Sequence, residues 1–299
     1  MPNRMHRTVL LQETIDGLDL KNNSLVLDAT FGGGGHSKEI LLRYPNAKVI
    51  AMDQDNTVWE RAKEKFEGLV NRISFLNANF RDMGELNFKD IDGIIFDLGL
   101  SSDQLENSGR GFSFLKNEPL VMQMKNREEG SPSDDDVTAW DVVNTWDEKN
   151  LADIIYGYGE ERFSRKIAKA IVAAREKAEI NTTFELVRII ESAVGKQYKK
   201  NRIHCATKTF QAIRIAVNDE LNSLEQGLRG GFKILKTEGR MAVISFHSLE
   251  DRIVKRFFRT KVREGQGELI NKKPIIASED EIKNNPRARS AKLRIFEKK

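Results

Sequence analysis

The stretch "LDATFGGGGHS", Leu27 to Ser37, carries the strongest structural signal in the chain. An apolar run ends in an acid, four glycines follow, and a histidine comes directly after them. Glycine gives up packing and costs conformational entropy, so four in a row indicate that the backbone passes very close to another group. Ser37 is a favourable N-cap residue, and we predict that a helix starts there. The stretch therefore predicts a strand, a tight turn and a helix.

Further apolar runs follow the same pattern on either side of helical segments. The first four are "SLVLDAT" at 24–30, "KVIAMDQD" at 48–55, "ISFLNANF" at 73–80 and "IDGIIFDLGLSS" at 91–102. They are nearly continuous in apolar residues, as strands buried on both faces are. Later in the chain "RMAVISFHS" predicts another buried strand, and the alternating "SAKLRIFEK" predicts a last strand near a sheet edge. We predict an α/β fold with a doubly wound, mainly parallel sheet.

The middle of the chain does not follow this pattern. From about residue 107 to residue 208 we find helical periodicity and no convincing buried strand. In "SPSDDDVTAW" we expect a helix that is capped by Ser133 with Asp136 as its capping-box partner. We therefore predict a core in two parts, 1–106 and 209–299, with an inserted helical domain at 107–208.

Composition limits the classes of function. The chain has 299 residues, a net charge of +4 and a pI near 9.0, which permits a nucleic-acid partner without requiring one. A single cysteine, Cys205, excludes an internal disulfide and fits a cytoplasmic setting. The four histidines show no zinc-type spacing, so we expect no metal. No apolar run approaches the length of a membrane span and no cleavable leader is evident, so we expect no membrane partner.

Several candidate ligand contacts fall where the predicted strands end: Asp28, His36, Asp53, Phe80 and Asp97. Ligands of open α/β sheets bind at this edge. A triphosphate loop would need Gly-Lys-Ser/Thr where this chain has Gly-His-Ser, and the third glycine of a dinucleotide fingerprint would fall on Ser37 or Lys38. An adenosine cofactor without phosphates explains more, because a cationic sulfonium suits acidic strand ends and Asp53 can accept both ribose hydroxyls. That cofactor is S-adenosylmethionine.

A family resemblance is carried by the motifs "TVLLQE", "DATFGGGGHS", "DLGLSS", "RGFSF", "YGEERFSRKIAKAIV", "TKTFQAIRI", "VISFHSLEDRIVKRF" and "NPRARSAKLR". Over residues 7–295 the chain resembles the ribosomal small subunit methyltransferase H family. The resemblance implies a class I S-adenosylmethionine-dependent methyltransferase core with an inserted helical domain. It also implies methylation of the 4-amino group of a decoding-centre cytidine in 16S rRNA.

The resemblance assigns site residues motif by motif. The implied cofactor contacts are Gly34, Gly35, His36, Asp53, Phe80, Asp97 and Gln104. The amino nitrogen of cytosine is a poor nucleophile, so a hydrogen-bond acceptor must raise its electron density, and the candidates are Asp97, Ser101 and His247. His36 could instead cap a helix, Phe80 could be core packing, and His247 could be a buried structural histidine.

RNA contacts are expected on basic surfaces, and the candidates are Lys196, Lys199, Lys200, Arg202, Arg287 and Arg289. Residues 259–299 hold 12 Lys/Arg against 6 Asp/Glu, a surplus of 6 that exceeds that of the whole chain. The expected partner is small-subunit rRNA or the small ribosomal subunit, with a homodimer also possible.

The chain departs from the family pattern in two places. The family's usual Pro-Leu-Asp-Met-Arg-Met is "PLVMQM" here, with Val121 and Gln123 in place of an acid and a base. Cys205 stands where proline is usual, and we expect it to be an inert packed thiol. Three alternatives stay open: a dinucleotide-dependent oxidoreductase, an RNA-binding assembly factor with weak or lost transfer, and a methyltransferase of another RNA or a protein.

Overall fold

The computed structural model describes residues 7–125, 137–198 and 203–299. The chain forms two compact units. One consists of residues up to Gly99 and from Leu221 onward, and the other runs from Leu100 to Glu220. The second unit is longer at both ends than the predicted insert. Leu100 and Leu105 pack against its core at one end, and the helix Thr207–Asn218 contributes Phe210 and Ile213 at the other.

The first unit contains a seven-stranded sheet in the order β3-β2-β1-β4-β5-β7-β6. Its strands are β1 (Leu25–Asp28), β2 (Lys48–Asp53), β3 (Ile73–Asn77), β4 (Ile91–Asp97), β5 (Leu235–Ser245), β6 (Gly267–Leu269) and β7 (Lys292–Lys298). The first five strands are parallel, and β7 is antiparallel to both β5 and β6. The doubly wound α/β prediction is confirmed. The sequence analysis missed β6, because its three residues show no apolar run.

Twelve α-helices are described. They are α1 (Leu11–Leu18), α2 (Gly35–Arg43), α3 (Thr57–Ala62), α4 (Ser102–Glu106), α5 (Ala139–Thr145), α6 (Glu148–Gly157), α7 (Ser164–Arg175), α8 (Thr183–Tyr198), α9 (Thr207–Asn218), α10 (Glu220–Ile234), α11 (Ser248–Arg263) and α12 (Glu279–Asn284). Among the helices in the described ranges, none is both long and apolar enough to cross a bilayer.

Helices cover both faces of the sheet. Successive strand residues such as Ile95 and Phe96 belong to different apolar cores, because side chains alternate between the two faces. Helices α1, α2 and α3 pack into one core, and α10 and α11 pack into the other. Burial on both faces accounts for the nearly continuous apolar runs of the central strands.

The second unit has its own core, built from α5 to α9. The predicted cap at Ser133 and Asp136 lies outside the described residues. The described helix α5 is capped by Thr138, whose hydroxyl accepts from the Asp141 amide while the Asp141 carboxylate accepts from the Thr138 amide. A capping box of the predicted kind is therefore present at Thr138 and Asp141, five positions later along the chain.

Candidate functional site

Three carboxyl groups lie together at the carboxyl edge of the sheet. Asp28 ends β1, Asp53 ends β2 and Asp97 ends β4. Strand β1 lies between the other two and pairs with both in parallel register. The sequence analysis predicted that these acids share an edge, and the structure places them there. The three groups interact electrostatically. In addition to burial, the charge of Asp53 raises the pKa of Asp28, and the charge of Asp28 raises the pKa of Asp97.

Asp97 is the most perturbed of the three acids. Burial, followed by the charges of Asp28 and Glu250, raises the pKa of its carboxyl to about 8. Its amide donates to Thr30 Oγ1 at 2.6 Å, and its Oδ2 lies 3.8 Å from Nδ1 of the buried His36. A quarter of the side chain is exposed, but Oδ1 is buried and accepts no hydrogen bond from the described residues.

The other two carboxylates are held by local hydrogen bonds. The Ser37 hydroxyl donates to Asp28 Oδ2 at 2.6 Å, yet burial outweighs this bond and raises the pKa of Asp28 to about 6. The amides of Gly32 and Asp55 donate to the two oxygens of Asp53 at 2.8 and 3.0 Å. Burial nevertheless raises the pKa of Asp53 to about 6.

The charge balance at this edge suits a cationic ligand. Within residues 7–125, 137–198 and 203–299, no lysine or arginine pairs with Asp28, Asp53 or Asp97. A buried acceptor without a partner costs about 1–3 kcal/mol, so Asp97 Oδ1 favours a ligand that brings a donor or a positive charge. The sulfonium and ammonium groups of S-adenosylmethionine meet this requirement, so the residues present fit the cofactor that the sequence predicts.

The glycine run has a packing explanation that the sequence did not reveal. Gly34 caps α2 in the left-handed region at φ 73°, where an added Cβ would lie 2.6 Å from the ring of Phe31. A Cβ on Gly35 would lie 1.7 Å from Thr8 Oγ1. The prediction that the helix starts at Ser37 is wrong. Helix α2 starts at Gly35, because the glycine backbone permits the turn earlier, and Ser37 bonds to Asp28 instead.

Phe80 lies beyond β3 in a short 3-10 helix, Phe80–Asp82. Its ring meets Phe96 edge to face at 5.6 Å, and an added Cβ on Gly227 would lie 2.6 Å from it. These contacts give Phe80 a packing role against β4 and α10. Its role as a cofactor contact stays a prediction.

His247 has a structural role at the start of α11. It is the N-cap of this helix, and its Nδ1 accepts from the Glu250 amide at 3.4 Å while Nε2 lies 3.1 Å from Glu250 Oε1. Glu250 is buried and also accepts from the Phe246 amide at 2.8 Å. The sequence analysis missed Glu250, although its spacing three residues after His247 is that of a capping box. The proposed acceptor role of His247 stays a prediction.

Ser101 and Gln104 belong to the second unit and form a reciprocal pair at the start of α4. The Gln104 amide donates to Ser101 Oγ at 3.1 Å, and the Ser101 amide donates to Gln104 Oε1 at 3.0 Å. The Ser-x-x-Gln spacing is that of a capping box and could have been identified from the sequence. Their assigned catalytic and cofactor roles stay predictions.

The candidate RNA contacts are only partly described. Lys199, Lys200 and Arg202 lie outside the described residues, and Lys196 is in the last turns of α8. Arg287 and Arg289 are in the 3-10 helix Pro286–Ser290, where Arg287 is half-buried and Arg289 is exposed. Their contact with RNA stays a prediction.

The altered "PLVMQM" loop is well anchored within the second unit. Gln123 is buried, and its side-chain Nε2 donates to the Val137 carbonyl at 3.2 Å. Arg110 donates to the carbonyls of Gln123 and Met124, each at 3.0 Å. The two substituted positions are therefore part of an ordered hydrogen-bonded loop.

Cys205 packs in the core of the second unit, as expected for an inert thiol. Burial and the nearby Glu191 raise its pKa, which keeps the thiol protonated. Donor atoms of Glu191, His204 and Cys205 lie within 4.8 Å of one another. His204 Nδ1 accepts from the Ala206 amide at 3.2 Å, so we assign its proton to Nε2, facing Glu191 at 3.3 Å. A cation here would have to displace the protons of both the thiol and the imidazole.

The parallel sheet with one antiparallel strand next to its edge, the helices on both faces and the acids at the strand ends define a class I S-adenosylmethionine-dependent methyltransferase fold. The chain belongs to the MraW methylase family, which it matches over residues 3–299.

Individual relatives agree with this membership. Ribosomal RNA small subunit methyltransferase H of Paenibacillus sp. (strain JDR-2) is 40% identical, over 98% of this chain and 99% of that protein. More distant likeness exists to solved structures. An rRNA methylase from Streptococcus thermophilus is 11% identical with a TM-score of 0.43, over 98% of both chains. TrmN from Thermus thermophilus is 14% identical with a TM-score of 0.45, over 97% of this chain and 48% of that one.

Proposed function

We propose that this protein transfers a methyl group from S-adenosylmethionine to the 4-amino group of a decoding-centre cytidine in 16S rRNA. The family membership and the name of the 40% identical relative support an rRNA substrate. The observation that carries the chemistry is Asp97, a carboxyl at the end of β4 with a buried oxygen that has no partner among the described residues.

The carboxylate edge provides the cofactor contacts. S-adenosylmethionine supplies a methyl group activated by a cationic sulfonium. Asp97 and Asp28 provide negative potential for a cation, and Asp53 keeps free lone pairs that can accept from ribose hydroxyls. Gly34 and Gly35 let the backbone turn closely into α2 at the same edge.

The methyl acceptor needs a hydrogen-bond acceptor of its own. The lone pair of the cytosine amino nitrogen is delocalised into the ring, and an acceptor that binds an amino N–H raises its electron density. Asp97 ranks first for this role because its Oδ1 accepts no hydrogen bond from the described residues. His247 ranks second, since both of its ring nitrogens face Glu250, and Ser101, which caps α4, ranks third. The remaining task is alignment of the flipped-out base with the methyl group.

The test is methyl transfer from labelled S-adenosylmethionine to small ribosomal subunits that lack the modification, followed by nucleoside analysis. We expect labelled 4-methylcytidine from the wild-type chain and none from Asp97→Asn. Label in another nucleoside, or in protein, would overturn the substrate assignment.

A second candidate is an RNA-binding assembly factor with lost transfer, favoured by Val121 and Gln123 in the "PLVMQM" loop. The double variant Val121→Asp/Gln123→Arg restores the family's acid and base. An inactive wild-type chain that binds the cofactor, together with an active double variant, would establish this candidate. Equal transfer by both chains would exclude it.

A further inference from the structure

We propose that the exposed face of α11 binds the phosphate backbone of RNA. This inference rests on the proposed function, in which RNA is the substrate. It adds a surface whose cations are not among the candidate RNA contacts of the sequence analysis, although Arg259 and Arg263 fall at the start of the basic segment 259–299.

Helix α11 exposes a single sign of charge. Its exposed residues are Ser248, Arg252, Lys255, Arg256, Arg259, Val262 and Arg263. Five of these seven are cationic and none is acidic. Solvent-facing helices usually mix both signs of charge, and α12 in the same unit begins with three consecutive acids. The one-signed face therefore distinguishes α11 from α12.

The five cations form one stripe along the helix. They follow the spacing i, i+3, i+4, i+7 and i+11, so they lie along one side. Val254 and Phe258 on the opposite side are buried in the core shared with α10, which fixes the direction of the stripe. The stripe spans about 16 Å along the axis at about 1.5 Å per residue, which is the reach of several successive phosphates.

The middle of the stripe is only partly neutralised. Lys255 and Arg259 form no hydrogen bond or ion pair within residues 7–125, 137–198 and 203–299. Arg256 pairs with Glu225 of α10 at 2.5 Å, and the same glutamate lies 3.9 Å from Arg229, so one carboxylate is shared by two guanidinium groups. Excess positive charge of this kind is what phosphate recognition requires, because affinity comes from neutralising phosphate charge.

The stripe starts beside the candidate site. Helix α11 begins directly after β5, whose Ile244 pairs with Asp97 in the sheet. Glu250 in its first turn is close enough to raise the pKa of Asp97. The first cation, Arg252, lies only two residues further along. An acidic edge for a cationic cofactor thus adjoins a basic face for an anionic polymer.

The test compares two double variants. Lys255→Gln/Arg259→Gln removes two cations from the stripe. The control, Lys21→Gln/Lys48→Gln, removes two exposed cations, one shortly before β1 and one at the start of β2. Both control residues lie at the amino-terminal ends of the strands, opposite the ends that carry the three acids. Binding of a 16S rRNA fragment is measured at several salt concentrations, with S-adenosylmethionine affinity as the check on folding. We expect the stripe variant to lose about tenfold in RNA affinity and to lower the salt slope by about 1.4, at about 0.7 per lost contact with single-stranded RNA. We expect the control variant to keep the wild-type slope and both variants to keep wild-type cofactor affinity.

An unchanged salt slope in the stripe variant, an equal change in the control variant, or a wild-type chain that binds no RNA would each overturn the inference. Methylation of small subunits by the stripe variant with a wild-type KM would also overturn it and would leave the proposed function intact. Loss of the proposed cytidine product, with salt-dependent binding through the stripe preserved, would overturn only the proposed function.

Discussion

Among single residues, Asp97 has the largest consequence for ligand binding, because its pKa of about 8 leaves it mostly protonated at pH 7. A cation bound beside it favours the carboxylate and lowers this pKa, so binding releases a proton. We expect S-adenosylmethionine affinity to rise with pH, approaching tenfold per unit at most, and to level off above about pH 8. Calorimetry in buffers of different ionisation enthalpy measures the released proton. S-adenosylhomocysteine lacks the sulfonium charge and should release less, and equal release by both ligands would contradict the assignment.

The same residue opposes folding when it is ionised. Its pKa lies above the ordinary value of 3.8, so the folded chain holds a proton that the unfolded chain loses between about pH 4 and pH 8. The free energy of unfolding therefore falls as pH rises through this window. We expect Asp97→Asn to unfold several degrees higher than the wild type at pH 8.5, with the difference shrinking toward pH 4.

Asp251 provides the contrast for that measurement. Burial alone would raise its pKa, but hydrogen bonds and charge from Arg294 and Lys292 outweigh burial and lower it. Its stabilising effect is present above its unfolded pKa and is lost as pH falls through the folded value. Asp251→Asn should therefore lower the melting temperature at pH 8.5. A fall with both variants would show that the Asp97 effect is general damage at the sheet.

Among the elements, the start of α2 contains a close contact between Gly35 and Thr8. A Cβ on Gly35 would lie 1.7 Å from Thr8 Oγ1 and 2.9 Å from Thr8 Cβ, so Gly35→Ala must displace the segment before α1. We expect a loss of about 1–3 kcal/mol in the free energy of unfolding, as for other overpacked sites. Thr8→Gly/Gly35→Ala should recover part of that loss in a double-mutant cycle followed by denaturant unfolding. Additive losses would contradict the contact.

The start of α11 decides between two roles for His247. As a cap it can be replaced by asparagine, which also accepts from the Glu250 amide, whereas alanine cannot. We expect His247→Asn to keep wild-type stability and most of the methyl transfer, and His247→Ala to lose about 1 kcal/mol in the free energy of unfolding. A stable asparagine variant without methyl transfer would instead establish His247 as the acceptor.

Over the whole molecule, two kinds of feature could be predicted from the sequence: elements with a regular apolar pattern, and side chains that the parallel sheet places together at the carboxyl ends of its strands. Buried strands produce apolar runs, and parallel strands end on one edge, so the positions of Asp53 and Asp97 could be predicted together. The start of α2 could not, because it combines the left-handed backbone of Gly34 with the close approach to Gly35 of Thr8, a residue distant along the chain. The pKa of Asp97 also could not, since it depends on burial and on Glu250, about 150 positions away.

The division into two units makes the location of the cofactor site testable. Asp28, Asp53 and Asp97 belong to the first unit, which has two apolar cores of its own, whereas Gln104 belongs to the second. Replacing residues 100–220 by a flexible Gly/Ser linker should leave a cooperatively folded protein that binds S-adenosylmethionine within about tenfold of the full chain, because the carboxylates supply most of the favourable charge. Calorimetry measures this affinity, and circular dichroism during thermal unfolding checks the fold. If the folded excised protein binds no cofactor, the expectation that the first unit alone binds S-adenosylmethionine is contradicted.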